Sequence, residues 1–314
     1  MGDVKVSAII PLYNKAKYID RAIRSVLTQR GAEVEVIVVD DGSTDGSGSL
    51  VMAMQDPRIR YIRQDNAGVS AARNRGIGES SAAFVSFLDA DDEWKQGYLE
   101  TILRLIQAFP EAGLYATAYE IKPVGGKAYL PRYRAVPASP WEGVLPDYFD
   151  TALGVPAVWT SAVTVRKEIL NDVGMFPLGE KRSEDLDLWA RVALKYPMVF
   201  SHFVGAVYYQ DVDIRASHIS NAVTERVVVK TLKDHLSHCQ GKAKSIYIEE
   251  YINAKVLDSV AECVCAGDGR QARRLLASCP TKFSWKRSFC WYILSYFPAS
   301  LISTLFAARN LFWK

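Results

Sequence analysis

Residues 82–94 read AAFVSFLDADDEW. The first half is a short apolar run of the kind that forms a strand buried on both faces of a sheet. The second half sets four carboxylates, Asp89, Asp91, Asp92 and Glu93, directly behind it. Like charges crowded at the end of a buried strand repel one another, so the arrangement asks for positive charge nearby. Asp89 and Asp91 are two positions apart, and in an extended segment such residues face the same way. Two converging hard oxygen donors suit Mg2+ or Mn2+, which takes one or two protein carboxylates and leaves other positions to water and substrate phosphates. Asp92 and Glu93 are expected to begin the next helix, where negative charge is favourable.

Working outward, strand-like and helix-like segments alternate. Val4–Ile10, Val34–Val39, Ile59–Ile62 and Phe84–Leu88 read as strands. Between them, a helical stripe runs from Tyr18 to Leu27, a short helix spans Leu50–Met54, and Gly68–Ile77 reads as a helix; Tyr98–Ala108 follows as another. Repeated βα units predict an open, mostly parallel twisted sheet flanked by helices. Ligands bind such sheets beyond the carboxyl ends of the strands. The polar clusters fall at those ends: Pro11-Leu12-Tyr13-Asn14, Asp40-Asp41 in DDGSTDGS, and the aspartates after Phe87. Residues 122–156, rich in Pro, Gly, Tyr and Trp, predict long loops or short ribbons over one edge, with Trp141 and Trp159 as sugar-stacking or core residues. Val158–Arg166 and Val199–Tyr209 read as strands, Glu184–Leu194 as a helix, and residues 221–282 as a helical C-terminal extension.

The bulk numbers exclude little. With 314 residues, 49% hydrophobic, 23% charged and a net charge of +3, the chain is ordinary globular protein and no nucleic-acid binder. Its five cysteines lie in the last quarter without a C-x2-C pair, so Cys263 and Cys265 read as free thiols rather than metal ligands. Free thiols suit a reducing compartment, and the N-terminus lacks a signal-peptide pattern, which together predict a cytoplasmic protein. Gly76-Ile77-Gly78 is a partial dinucleotide fingerprint, but it ends a helix instead of opening one, which argues against an oxidoreductase.

Five stretches in order, SAIIPLYN at 7–14, VVDDGSTDGS at 38–47, NAGVSAARNRGI at 66–77, FLDADDEW at 87–94 and SEDLDLWARVA at 183–193, carry a resemblance. The chain resembles the inverting family 2 glycosyltransferases of the bacterial cell-surface polysaccharide type, which have the glycosyltransferase A fold. That resemblance implies a catalytic domain over residues 1–220. It implies that Pro11, Tyr13 and Asn14 line a nucleotide pocket, that Asp41 bonds the base with Asp40 beside it, and that Arg73 and Asn74 lie close to the donor. Asp91 would ligate Mn2+ or Mg2+, Asp89 would contact the ribose or the metal's water shell, and Asp185 would be the catalytic base. The implied reaction is single displacement from a nucleotide-diphosphate sugar onto a hydroxyl of the acceptor. Ser183-Glu184-Asp185 also reads simply as a capped, acidic helix start.

Three features depart from the family pattern. Ala82 stands where a small Gly usually precedes the fourth strand; the Q-x-x-R-W motif of processive synthases is absent, which implies one sugar or few per encounter. The closing segment reads YYQDVDIRASHISN, in which Arg215, Ser217 and His218 are candidates to close over the diphosphate, His218 as a possible metal ligand. Residues 288–308 carry no charge, Pro298 divides them, and basic residues flank them, so 283–314 is expected to lie on the cytoplasmic face of the inner membrane as an amphipathic aromatic segment. A membrane surface points to a glycan or lipid-linked glycan acceptor. The competing class is a nucleotide-sugar-binding or membrane scaffold protein without turnover.

Overall fold

The sheet begins where the apolar runs are densest. In the computed structural model, which describes residues 4–180, 182–210, 225–238, 246–279 and 285–302, β1 (Lys5–Leu12) buries seven of its eight residues. Parallel neighbours enclose it, β2 (Glu33–Asp41) on one side and β4 (Phe84–Phe87) on the other. Outside β2 lies β3 (Ile59–Gln64), also parallel. The crossover helices are α1 (Ile19–Leu27), α2 (Ser47–Ala53) and α3 (Val69–Glu79). On α1 the buried residues Ile19, Ala22, Ile23 and Val26 fall at the i, i+3, i+4, i+7 spacing that makes one face of a helix.

Beyond β4 the sheet becomes mixed. The other strands are β5 (Glu93–Trp94), β6 (Leu114–Lys122), β7 (Glu142–Val144), β8 (Val163–Arg166) and β9 (Met198–Tyr209). The sheet order is β3-β2-β1-β4-β8-β6-β9-β5, with β7 pairing on β9. β8 is antiparallel to both β4 and β6, whereas β6 and β9 are parallel. α4 (Tyr98–Ala108), α5 (Tyr148–Thr151), a 3-10 turn at Thr160–Ala162, α6 (Lys167–Val173) and α7 (Glu184–Ala193) complete this part. The four parallel strands carry three of the polar strand ends to one edge, as βα alternation predicts.

Several sequence expectations need correction. Asp92 and Glu93 do not start a helix: Glu93 and Trp94 form β5 against Val207 and Ala206, and α4 begins only after Gly97, at φ +88°. Asp92 is buried instead. Val158–Arg166 is a strand only from Val163, because the 3-10 turn precedes it. β6 lies in a stretch where the sequence reading placed no strand. Residues 122–156 do contain a ribbon-like cover, with a bridge from Ile121 to Tyr129 and β7 on the sheet edge.

The chain divides into two compact units, Met1–Arg215 and Ala216–Lys314. The second contains α8 (Val227–His238), α9 (Ile246–Cys265), α10 (Gly269–Ala277) and α11 (Trp285–Leu294). Tyr251, Leu257, Val260 and Ala272 are among its fully buried side chains. Cys263 is buried and Cys265 exposed on α9. Among the described residues no helix is long and apolar enough to cross a membrane.

Candidate active site

The loops after β1 and β2 are stitched together. Asn14 sits in the left-handed region, φ +51°, which Asn tolerates well. Its N–H donates to Ser43 Oγ at 3.0 Å, and its Oδ1 accepts from the Thr44 N–H at 2.8 Å. Asp45 accepts from the Ala16 N–H at 2.8 Å. Asp40 is fully buried, taking the Ser43 N–H at 2.8 Å and the Tyr61 hydroxyl at 2.5 Å. Asp41 pins the next loop: Oδ1 accepts from Gln64 and the Ala67 N–H, and Oδ2 from the Gly68 N–H at 2.8 Å. Each oxygen has two lone pairs, so Oδ2 retains acceptor capacity for a base. Pro11 is buried within β1, whereas Tyr13, just past the strand end, is 48% exposed.

The aspartates after β4 have different partners. Lys15 Nζ lies 2.7 Å from Asp91 Oδ2, and Arg21 donates to the Asp91 carbonyl at 2.6 Å. The Arg21 guanidinium also stacks on Tyr209, 3.6 Å from the ring centre. Asp89 accepts from Arg73 at 2.8 Å. Asp92 lies beneath both, accepting from Ser161 Oγ at 2.7 Å and from the Tyr209 N–H at 3.2 Å. Burial, then the charges of Asp91 and Asp89, push its carboxyl well above the usual carboxylate range. Part of the positive charge that the acidic strand end requires is therefore supplied by the protein, through Lys15 and Arg73.

Arg73 joins this end to α7. It is 4% exposed, and its second bond, 2.8 Å, goes to Glu184. Burial works against its charge, but Asp89 and Glu184 outweigh it and raise its pKa. Glu184 in turn is pushed up by burial and by its neighbour Asp185, against the pull of Arg73. Asp185 takes the Thr160 hydroxyl at 3.0 Å on Oδ2 and the Leu186 N–H at 2.8 Å on Oδ1. Thr160 precedes Ser161, which holds Asp92 and accepts the Trp94 indole N–H through its carbonyl at 2.8 Å. One 3-10 turn and one arginine thus connect the aspartate cluster with Asp185.

Not every expected residue faces this site in the same way. Asn74 uses its amide on both backbone groups of Phe176, at 2.8 and 3.0 Å, which fixes that loop. His218, with Arg215 and Ser217, lies outside the described residues. Trp159 packs against Tyr119 and Tyr208, ring centres 4.6 and 5.0 Å away. Trp141 lines a separate cavity of about 400 Å3 with Arg104, Glu142 and His202, which none of the strand-end aspartates touches. Lys15, Arg21, Thr160 and Ser161 were not singled out from sequence. Only Lys15, directly behind PLYN, carried a signal of position.

A divalent cation fits the donor set in one respect. Among the described residues no three acidic, His or Cys side chains converge as a closed metal site. Asp91 is a hard oxygen donor whose side chain is 18% exposed, as a site completed by phosphate oxygens and water requires.

The model of the family described as Glycosyl transferase family 2 matches residues 7–172, more than half of the chain. The chain belongs to glycosyl transferase family 2. Glycosyltransferase GlyA of Streptococcus pneumoniae serotype 4 is 43% identical over 106 residues, covering 33% of this chain and 15% of the relative. An uncharacterized glycosyltransferase of Rickettsia conorii is 31% identical over 198 residues, 62% of this chain and 31% of the relative. Succinoglycan biosynthesis protein ExoO of Rhizobium meliloti is 43% identical over 109 residues, 34% and 30%. The chain spans less than a third of each of these relatives. Residues 1–349 of TarS from S. aureus, solved in complex with UDP-GlcNAc, superpose with TM-score 0.70 at 18% identity, covering 93% of this chain and 89% of that one. At that identity the likeness establishes the fold: this family 2 chain has the glycosyltransferase A fold with helices appended at its C-terminal end.

Proposed function

We propose that the chain is a metal-dependent, inverting glycosyltransferase that moves one sugar from a nucleotide-diphosphate sugar to a hydroxyl of a lipid-linked glycan in envelope or exopolysaccharide assembly. The observation that carries this reading is the joined pair of ends: carboxylates at Asp89 and Asp91, and Asp185 linked to them through the Thr160–Ser161 turn and Arg73. The complex of TarS with UDP-GlcNAc adds a neighbour of the same fold that takes a sugar nucleotide.

Each residue has a physical task. The stitched loops of Asn14, Asp40 and Asp41 form a fixed floor for the nucleoside, and Tyr13 offers a ring for stacking. Asp91 with Asp89 would hold the cation, which when bound stabilises the negative charge that develops on the departing diphosphate. Asp185, fixed through both oxygens at the start of α7, accepts the proton of the acceptor hydroxyl. Attack from the face opposite the diphosphate inverts the anomeric centre.

The lipid-surface element rests on the described part of residues 283–314. There Ser288, Ser295 and Ile302 are buried, while Phe289, Tyr292, Ile293, Tyr296 and Phe297 are exposed, Phe289 to 58% and Tyr296 to 61%. Exposed aromatics beside exposed Lys286 and Arg287 suit an anionic lipid interface. Such a surface supports a reading in which the enzyme works at the cytoplasmic face of a membrane, on a lipid-linked acceptor.

A thermal-shift panel of UDP-, dTDP- and GDP-sugars, with and without Mn2+, tests the reading. The expected result is stabilisation by one nucleotide class that strengthens with Mn2+. Absence of any shift across the panel would overturn it. A stabilised protein that never turns over its donor or transfers sugar would favour the scaffold reading.

A further inference from the structure

We propose that the Lys15 ammonium is a displaceable internal counter-ion: it holds Asp91 in the donor-free protein and moves to the donor's diphosphate when a divalent cation meets Asp91, which makes cation and nucleotide binding cooperative. This inference rests on the functional reading above.

Three cationic side chains meet the acidic strand end. Arg21 donates to the Asp91 carbonyl and lies 3.9 Å from Glu93, while Arg73 and Lys15 pair with the Asp89 and Asp91 carboxylates and are built differently. Arg73 is 4% exposed and held by two carboxylates at once, Asp89 and Glu184, so leaving would strand its buried partner Glu184 and unpair the partly exposed Asp89. Lys15 makes its 2.7 Å pair with Asp91 where both side chains retain exposed surface, 16% and 18%. Its backbone is fixed by the turn behind β1: the Lys15 carbonyl accepts from the N–H groups of Tyr18 and Ile19, at 2.9 and 3.0 Å. The flanking Asn14 and Ala16 are tied to the loop after β2. A fixed backbone with a flexible four-carbon stem can swing its ammonium without moving the loop.

The electrostatics then set the direction. An ammonium and a divalent cation at the same carboxylate oxygen repel, so in the donor-free protein Lys15 opposes cation binding. A diphosphate brings new negative charge to the same strand edge and gives the ammonium another partner. Linkage makes the effect reciprocal: whatever factor the nucleotide adds to cation affinity, the cation adds to nucleotide affinity.

The test is Mn2+ binding to the full chain, read from the free-ion electron paramagnetic resonance signal, without and with UDP, dTDP or GDP. Without nucleotide, Lys15→Met and Lys15→Gln should bind Mn2+ about tenfold or more tighter than the unsubstituted chain. Lys15→Arg, which keeps the charge, should stay near the original affinity, and Asp91→Asn should remove the gain in each background. The nucleotide-induced gain in Mn2+ affinity should shrink in Lys15→Met and Lys15→Gln. Unchanged donor-free affinity in both of these variants overturns the inference, whatever the nucleotide does. Failure of every nucleotide to raise Mn2+ affinity in the unsubstituted chain counts against the functional reading instead, while tighter donor-free binding in Lys15→Met would still uphold the role of Lys15 at Asp91.

Discussion

At the residue scale, the four acids of FLDADDEW separate by partner. Asp91 faces Lys15, Asp89 faces Arg73, Asp92 lies buried on Ser161, and Glu93 accepts from the Tyr209 hydroxyl at 2.7 Å. Thr160 acts on Asp185 alone through a hydroxyl, so Thr160→Val keeps the shape and removes the bond. We expect turnover to fall about tenfold, with donor KM nearly unchanged, because the lost interaction orients the proton acceptor. Steady-state kinetics measures that split. Arg73→Met is expected to lower unfolding stability by about 3 kcal/mol, since it leaves Glu184 and Asp89 without their buried partner. Urea denaturation of that variant, with Arg73→Lys as the charge-keeping comparison, decides it. Spacing and residue type in the sequence single out Asp89 and Asp91, whereas Asp185 comes from the family resemblance, since its own stretch also reads as a capped helix start. The roles of Lys15 and Arg73 were not legible, because a charge's partner across 76 or 16 positions depends on the folded loops.

At the element scale, the central strands are held by polar bonds as well as apolar burial. Glu35 on β2 accepts from the Ser7 hydroxyl on β1 and from the Ser81 N–H and hydroxyl before β4. Burial opposes its charge, but these bonds and Lys5 outweigh it and hold its pKa below the ordinary value. A depressed carboxylate stabilises the fold above its ordinary pKa and loses that contribution as pH falls through the depressed value. Glu35→Gln should therefore cost about 1 kcal/mol near neutral pH and progressively less in acid. Melting temperatures of the two proteins across pH 7 to 3 should converge; a constant gap would contradict this. On α3, a methyl at Gly76 would lie 2.5 Å from Ile9 Cγ2 within the sheet core. Alanine's helix preference offers about 1 kcal/mol, and overpacking costs about 1–3. Gly76→Ala is expected to destabilise, measurable by thermal unfolding. β1 to β4 and their helices were legible because apolar runs and turn signals are local. β5 and β7, of two and three residues, exist only through pairing with β9, which no local pattern records.

At the scale of the whole molecule, the first unit carries the family 2 match, residues 7–172, and the second carries the exposed aromatic surface along α11 and just past it. The outward residues Phe289, Tyr292, Ile293, Tyr296 and Phe297, four of them aromatic, follow i, i+3, i+4, i+7 and i+8 spacing, with serines on the inner side. Replacing Phe289 and Phe297 by Ser should remove most sedimentation with anionic liposomes while leaving the melting temperature within a few degrees. Unchanged sedimentation would argue that this face meets something other than lipid. Charge and apolar patterning made the segment visible in sequence, but which residues face outward became clear only from the packing of Ser288 and Ser295.

The central claim is that one end of the site holds the donor and the other accepts the proton. Isothermal titration of the identified sugar nucleotide with Mn2+, paired with donor turnover on the same samples, tests it on Asp91→Ala and Asp185→Asn. The account predicts that Asp91→Ala loses donor affinity, whereas Asp185→Asn binds the donor as before and turns over at least about a hundredfold more slowly. Asp185→Asn retaining full turnover, or Asp91→Ala binding donor and Mn2+ unchanged, would contradict it.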